Sequence, residues 1–161
     1  MPSLQRLRLD HGPALLAFEL ENRAYFAKSI SDRGDDYFAN FDARHGDLLT
    51  EQETGLCHFH VLVDGNGEVQ GRFNLFDVAD GSADLGFRVA EKAAGRGVCT
   101  AAVQQVCVLA AAEYHLTSLR AAAAIDNLGS RAVLAKTGFV PTGETIELSG
   151  RPGLRFTRSL P

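Results

Sequence analysis

Nine consecutive residues carry the clearest chemical signal in this chain: Lys92-Ala93-Ala94-Gly95-Arg96-Gly97-Val98-Cys99-Thr100. They join a strand-like alternation that ends at Val89 to a helical pattern that begins near Val98. The first turn of a helix leaves backbone N–H groups unpaired and carries the positive end of the helix dipole. Glycines at 95 and 97 let an anion come close to the backbone, and Lys92 and Arg96 add positive charge. The segment therefore predicts a pyrophosphate cradle. It is not a dinucleotide fingerprint, because the third glycine is absent and five residues separate Val89 from Gly95. Nor is it a Walker loop, which needs Gly-Lys-Ser or Gly-Lys-Thr. Alone, the loop states no more than an anion at a helix start.

Other reactive residue types give weaker signals. His58 and His60 point to one face of a strand, but no third ligand has suitable spacing, so no metal is expected. Cys57, Cys99 and Cys107 are odd in number and lack CxxC spacing, which argues against a disulfide framework or a zinc site. Cys99 sits where a helix start favours thiolate, yet it has no adjacent base and reads as a loop residue near the phosphates. Glu19, Glu21, Asp32, Asp35 and Asp36 either attract a cationic amine or form a solvated face.

The positioning elements follow from periodicity. Leu4–Leu9 alternates as a first strand, Asp10 offers an N-cap, and Pro13 suits the first turn of a helix to about Asn22. One or two further helices are expected between Arg23 and Glu53. Cys57–Val63 and Val69–Phe76 alternate around Asp64-Gly65-Asn66-Gly67 and predict a hairpin. Ala83–Val89 adds a third strand after Asp80-Gly81. A helix from Val98 shows Val103, Val106, Cys107, Ala110 and Tyr114 on one face. Leu119–Ile125 is a short strand, Asn127 caps a helix to Lys136, and Gly138 suits its C-terminal end. Val140–Leu148 and Leu154–Ser159 close the chain as strands. The strand–helix–strand from Ala83 to Ile125 requires a right-handed parallel crossover, while the rest can be antiparallel.

The 161 residues are 45% hydrophobic and 22% charged, with a formal charge of −4. That composition suits one domain with a real core. The acidic balance argues against a nucleic-acid partner. No apolar run would span a membrane, and the N-terminus lacks a signal-peptide core, so a cytoplasmic monomer or homodimer is expected.

With its flanks added, the loop resembles the Q/R-x-x-G-x-G/A signature of the GNAT acetyltransferase superfamily, with Lys92, Gly95 and Gly97 at its three positions. Ala83-Asp84-Leu85-Gly86-Phe87 resembles the strand before that signature. Asn127-Leu128-Gly129-Ser130 with Lys136-Thr137-Gly138-Phe139 resembles the family's N-x-x-S…K-x-G-F helix. Glu21-Asn22-Arg23 is similar to a segment of the RimJ/RimL-type branch, which acetylates ribosomal-protein N-termini. The resemblance spans nearly the whole chain, residues 1–161, as a single domain. It implies an α+β, three-layer α/β/α fold, with about seven strands in a mixed, mostly antiparallel sheet and helices on both faces.

The resemblance also implies function. Acetyl-CoA would be the cosubstrate, without metal, and a primary amine the acceptor, such as a protein N-terminus. Amides from Arg96 to Thr100, through Gly97, Val98 and Cys99, would hold the pyrophosphate with Gly95 and Lys92. Phe87 and Val89, with Arg88 between them, would pair with the pantetheine arm. Asn127 and Ser130 would line its thioester end, and Lys136 belongs to the same cofactor set. Two departures stand out. Lys92 replaces Gln or Arg and changes hydrogen-bond geometry. Leu134 stands where many relatives carry a proton-donating tyrosine. Asp84 is then the candidate base, with an ion pair to Arg72 or Arg88 as its other role, and a water chain is the alternative proton acceptor. Ser130 is the candidate donor to the leaving thiolate, with helix capping as its other role. A non-catalytic acyl-CoA-binding module, a small-molecule or antibiotic amine acetyltransferase, and a small nucleotide-binding oxidoreductase are the rival readings.

Overall fold

The computed structural model describes Pro2–Pro161. Strand β1 (Ser3–Arg6) leads through a 3-10 turn to helices α1 (Gly12–Glu21), α2 (Arg23–Ala27), α3 (Asp35–Ala39) and α4 (Phe41–Glu53). Strands β2 (His58–Val63), β3 (Val69–Ala79) and β4 (Ser82–Val89) follow. Then come α5 (Val98–Ala112), β5 (Ser118–Ala124), α6 (Leu128–Lys136), β6 (Val140–Leu148) and β7 (Arg151–Ser159). The sheet has seven strands in the order β1-β2-β3-β4-β5-β7-β6. Every pairing is antiparallel except β4 with β5, which are joined by the α5 crossover.

The sheet separates two cores. On one face, α5 and α6 bury Val103, Val106, Cys107, Ala110 and Leu134 against Phe73, Leu75, Leu85 and Leu119. On the other, α1 to α4 bury Leu15, Phe18, Phe26, Tyr37 and Phe41 against Phe59, Val61 and Val69. Two apolar faces of one sheet thus each receive a helical layer, which is the three-layer α/β/α arrangement.

The expected hairpin, crossover and closing strands all form. The helical segment after β1 differs from expectation in two ways. Asp10 does not cap α1; it lies in the Leu9–His11 turn and pairs with Arg8 at 3.0 Å, while α1 starts at Gly12 with Pro13 in its first turn. Between residues 23 and 53 there are three helices rather than one or two. The breaks have a physical cause. Asn22 and Asn40 turn their side-chain amides back onto the carbonyls of Phe18 and Asp36, at 2.9 and 3.0 Å. Such local bonds compete with the helical ladder.

His58 and His60 are structural. His60 is buried, its Nδ1–H donating to the Phe73 carbonyl at 3.0 Å and its Nε2 accepting from the Tyr114 hydroxyl at 2.6 Å. His58 stacks on Tyr114, with ring centroids 3.6 Å apart. Burial, outweighing the bond to the Phe73 carbonyl, brings His60 down to about 4. The folded chain therefore binds fewer protons at this residue than the unfolded chain between pH 6.5 and 4, so stability falls as pH drops through that window. Urea unfolding at pH 7 and pH 4 should show that His60→Gln removes about 2–3 kcal/mol of the pH-dependent loss.

Candidate active site

The parallel pairing of β4 with β5 lasts four residue pairs, from Ser82–Ser118 to Leu85–Ala121. Beyond it the strands part, although each keeps its outer partner. β4 stays on β3 as far as Val89, and β5 stays on β7 as far as Ala124. The Ala90 N–H donates to the Gln70 carbonyl at 2.9 Å, which fixes the phase of the antiparallel ladder. With hydrogen-bonded positions alternating, Arg88 and Gly86 face β3. The backbone N–H and C=O of Phe87 and Val89 then face the gap.

That gap is one wall of an open cleft of about 820 Å³. Phe87, Arg88 and Val89 line it from β4, and Asn127, Gly129, Ser130 and Val133 from the start of α6. Ala94, Gly95 and Cys99 line it from the loop before α5 and that helix's first turn, and Tyr25, Phe26, Ser29 and Ile30 from α2 and the turn after it. Of all these lining residues only Arg88 carries a charge.

The loop end of the cleft has the features of an anion cradle. Gly95 and Gly97 take φ of +73° and +74°, and a Cβ at either would meet open space. Any other residue there would cost about 1–2 kcal/mol in backbone strain. The α5 ladder begins with the Ala101 N–H donating to the Gly97 carbonyl at 3.1 Å. Among the described residues, the amides from Gly95 to Thr100 donate to no backbone or side-chain acceptor. These are the orphan donors of a helix start, extended backwards by two left-handed glycines.

Several predicted residues sit elsewhere. Lys92 points away from the cleft and reaches Glu68 at 3.2 Å and Glu21 at 3.7 Å. Arg96, Gly97, Val98 and Thr100 lie on the loop and first turn but do not line the cleft itself, and Lys136 is exposed at the far end of α6. Cys99 does line it, but burial pushes its thiol up to about 12, against the thiolate expected at a helix start. Asp84 lies outside the lining and is held by Arg120 of β5 at 2.9 Å. An ion pair was the other role foreseen for it, and its partner is Arg120 rather than Arg72 or Arg88. Asn127 is the cap of α6: its side-chain oxygen accepts from the Ser130 N–H at 3.2 Å. The Ser130 hydroxyl has no protein partner among the described residues. Leu134 is fully buried in the core and cannot reach the cleft.

One arrangement escaped the sequence reading. Glu19 is buried on α1 and holds three guanidinium groups: Arg72 at 2.9 Å, Arg33 at 3.0 Å and Arg88 at 3.2 Å. Burial pushes the Glu19 carboxyl up, but the three arginines outweigh it and keep it below its ordinary value. Arg88 also lies over the Phe26 ring at 4.6 Å. A signal was present, since Leu15, Phe18, Glu19 and Asn22 share one helical stripe and all are buried. A glutamate in an apolar stripe needs a cation. Asp32 and Asp35, grouped with Glu19 by sequence, instead bind Arg23, both at 2.8 Å, near the surface.

Among the described residues, no group of three or more His, Cys, Asp or Glu side chains is placed to hold a metal. None of their helices is long and apolar enough to cross a membrane. The acetyltransferase (GNAT) domain family matches residues 4–140. The probable N-acetyltransferase YjcK of Bacillus subtilis (strain 168) is 30% identical over 136 residues, covering 80% of this chain and 74% of that relative. The ribosomal-protein-S5-alanine acetyltransferase of Vibrio fischeri superposes with a TM-score of 0.90 at 18% identity, over 97% of this chain and 91% of its own. RimJ of Mycobacterium smegmatis, in complex with CoA-disulfide, superposes with a TM-score of 0.85 at 23% identity, over 97% and 80%. The chain belongs to the GNAT acetyltransferase family and is an N-acetyltransferase.

The Glu19 cluster yields a stability prediction. Glu19→Ala leaves three guanidinium groups facing one another without their anion, and should cost about 3–5 kcal/mol in chemical denaturation. A loss below 1 kcal/mol would show that the cluster is solvated rather than buried.

Proposed function

We propose that this chain transfers the acetyl group of acetyl-CoA to a primary amine by direct attack, the N-terminal α-amine of a protein being the leading acceptor. The observation that carries the reading is the meeting of two features: a run of unpaired amides from Gly95 to Thr100, of which Gly95 and Cys99 line the cleft, and unpaired strand backbone at Phe87 and Val89 along its wall. The residues present fit the cosubstrate. A helix start with left-handed glycines suits a pyrophosphate, and an open strand edge suits the amide-bearing pantetheine arm.

Acetyl-CoA supplies the acetyl group as an activated thioester. The rest is work for the protein. The Gly95–Thr100 amides anchor the diphosphate. Phe87 and Val89 align the arm so that its end lies by Asn127 and Ser130. An amide of the Phe87 strand edge stabilises negative charge on the carbonyl oxygen during attack. The neutral amine nitrogen forms the new bond to carbon, the carbon–sulfur bond breaks with its electron pair leaving on sulfur, and the proton that the nitrogen sheds on becoming an amide passes through water to the thiolate, giving the free thiol of CoA. The Ser130 hydroxyl donates a hydrogen bond to the departing sulfur. An α-amine has a pKa near 8 and must first lose a proton. No carboxylate lines the cleft, and Asp84 is occupied by Arg120, so we assign that proton to water in the open cleft. The positive field of Arg88 assists by disfavouring the ammonium form.

Location in the cytoplasm and a monomeric or homodimeric state belong to this reading, since α-amine acetylation of newly made protein uses cytosolic acetyl-CoA. The cleft lies within one chain, so a monomer suffices for the chemistry proposed.

Thermal unfolding tests the cosubstrate: at a hundred times its Kd, acetyl-CoA or CoA should add about 2.7 kcal/mol, while NAD should add nothing. Stabilisation by NAD alone would overturn the reading in favour of an oxidoreductase. CoA release with an accepted amine separates catalysis from mere binding. In that assay Ser130→Ala should lower kcat by about 10–100-fold with little change in acetyl-CoA KM, and Asp84→Asn should keep most of kcat. A large kcat loss in Asp84→Asn that is reversed at high pH would return the proton to Asp84.

A further inference from the structure

The charged residue that lines the cleft, Arg88, lies on its α2 side, over the Phe26 ring at 4.6 Å. Arg88 uses Nη1 on Glu19 at 3.2 Å, and its other N–H donors meet no protein acceptor among the described residues. A guanidinium carries five such donors in a rigid fork, a geometry that matches a carboxylate. Glu19 is one anion shared by Arg33, Arg72 and Arg88, so the cluster keeps a surplus of two positive charges. Beside it Arg23 is shared by two carboxylates, Asp32 and Asp35, so four guanidinium groups face three carboxylates and one positive charge is left over. A narrow crevice beside the cluster shares Phe26 and Arg88 with the main cleft and adds Glu19, Arg23 and Arg33. Besides Glu19, the acid that lines it is Asp32, which is bound to Arg23 at 2.8 Å. No acid lines the main cleft. Burial, reinforced by the neighbouring Arg33, brings Arg88 down to about 10, so it is still a cation at neutral pH.

We infer that Arg88, backed by the surplus charge of the Glu19 cluster, receives a carboxylate of the acceptor, so that this enzyme acts on amines that carry a nearby anion and disfavours polycationic amines. The inference rests on the acetyl-transfer reading for its catalytic test, and refines it by naming the acceptor's chemistry. Tyr25, Phe26, Ser29 and Ile30 line the same side of the cleft and provide an amphipathic wall for the body of the acceptor. The carboxylate has two sources. It is either the α-carboxylate of a free amino acid or an acidic side chain next to a peptide's N-terminus. In both, one group does the recognising. A polyamine would bring further positive charge toward a cluster in which guanidinium groups already outnumber carboxylates.

Matched acceptors test this in the CoA-release assay. One pair is an amino acid and its amide. A second pair is a short peptide with Asp or Glu at its second position and the same peptide with Asn or Gln there. Spermidine is the polycation. In at least one pair the carboxylate form should have kcat/KM about 10–100-fold higher, the scale of a charged hydrogen bond. The pair showing the preference identifies the source, and spermidine should be the poorest acceptor. Arg88→Gln should bring the ratio near one by raising acceptor KM, with acetyl-CoA KM moving less than about threefold, and Arg88→Lys should restore part of the preference. Equal rates within both pairs, or a preference that survives in Arg88→Gln, overturns the inference. If Arg88→Gln does not fold, the wild-type ratios and the Arg88→Lys variant decide the matter.

A binding measurement keeps the two readings apart. With CoA present, the N-acetylated acid and the N-acetylated amide of each pair are compared by thermal shift. Stabilisation by the acid alone supports the anion site even if no amine is ever acetylated, in which case the transfer reading fails by itself. Equal shifts, or none from either form, overturn the anion site even if acetyl transfer proceeds.

Discussion

The parting of β4 from β5 after four residue pairs is the constraint on which the rest of the molecule is built. A parallel pair that stayed closed would satisfy the backbone of Phe87 and Val89 and leave no cleft. By opening, it exposes polar groups that would each cost about 1–3 kcal/mol if buried without a partner. The opening is held from outside, because β3 and β7 each keep their own pairing and prevent the two strands from closing again. The helices that start beyond the two strands then converge on the gap: α5 follows β4 after the loop that carries Gly95 and Gly97, and α6 begins just past the end of β5. Ligand sites in α/β sheets collect at such places, outside the carboxyl ends of strands. The first turns of both helices thus reach one slot.

The second organising feature is Glu19. Its three arginine partners come from different elements: Arg33 from the segment before α3, Arg72 from β3 and Arg88 from β4. One buried carboxylate therefore ties the helical layer to the two central strands beside the cleft. Charge burial of this kind is a poor source of net stability, since desolvation offsets much of the attraction. Its physical effect is placement. Arg88 is held by Glu19 at 3.2 Å and by the Phe26 ring at 4.6 Å, so its guanidinium is fixed in place.

The strands and the two C-terminal helices were legible because each carries a local cause. Alternation set β2 to β4, glycine and asparagine marked the turns, and the Asn127 cap and the left-handed Gly138 bounded α6. The turn before α5 was legible for the same reason, since Gly95 and Gly97 take the left-handed backbone that glycine permits. Charged side chains were not. Lys92 pairs with Glu68 and Glu21, Asp84 with Arg120, and Glu19 with Arg72 and Arg88; most of these partners lie tens of residues away in the sequence. Which cation meets which anion depends on sheet register and on how helices cross the sheet, and neither has a local signature. The Asp84–Arg120 pair needs the β4–β5 register that sets these residues side by side. The helical segment between residues 23 and 53 was blurred because Asn22 and Asn40 interrupt the helical pattern while leaving its composition intact.

Helix α6 shows how one element divides structural from chemical duty. Its sheet-facing stripe begins with Asn127 and Ser130 at the cleft and passes through Val133 to Leu134, which is fully buried. Position 134 is one turn further from the cleft mouth than 130, and in this chain it is packed among the core residues beneath α5. A tyrosine there would have to displace that packing to bring its hydroxyl to the cleft. Filling the position with leucine completes the core and confines the polar chemistry of the helix to its first turn. The cap bond from the Asn127 side chain to the Ser130 N–H fixes that turn, and the Ser130 hydroxyl stays unengaged beside the gap. The residue that looks like a missing catalytic group is thus a packing choice. Its consequence is that hydrogen bonding from α6 into the cleft passes through Asn127 and Ser130.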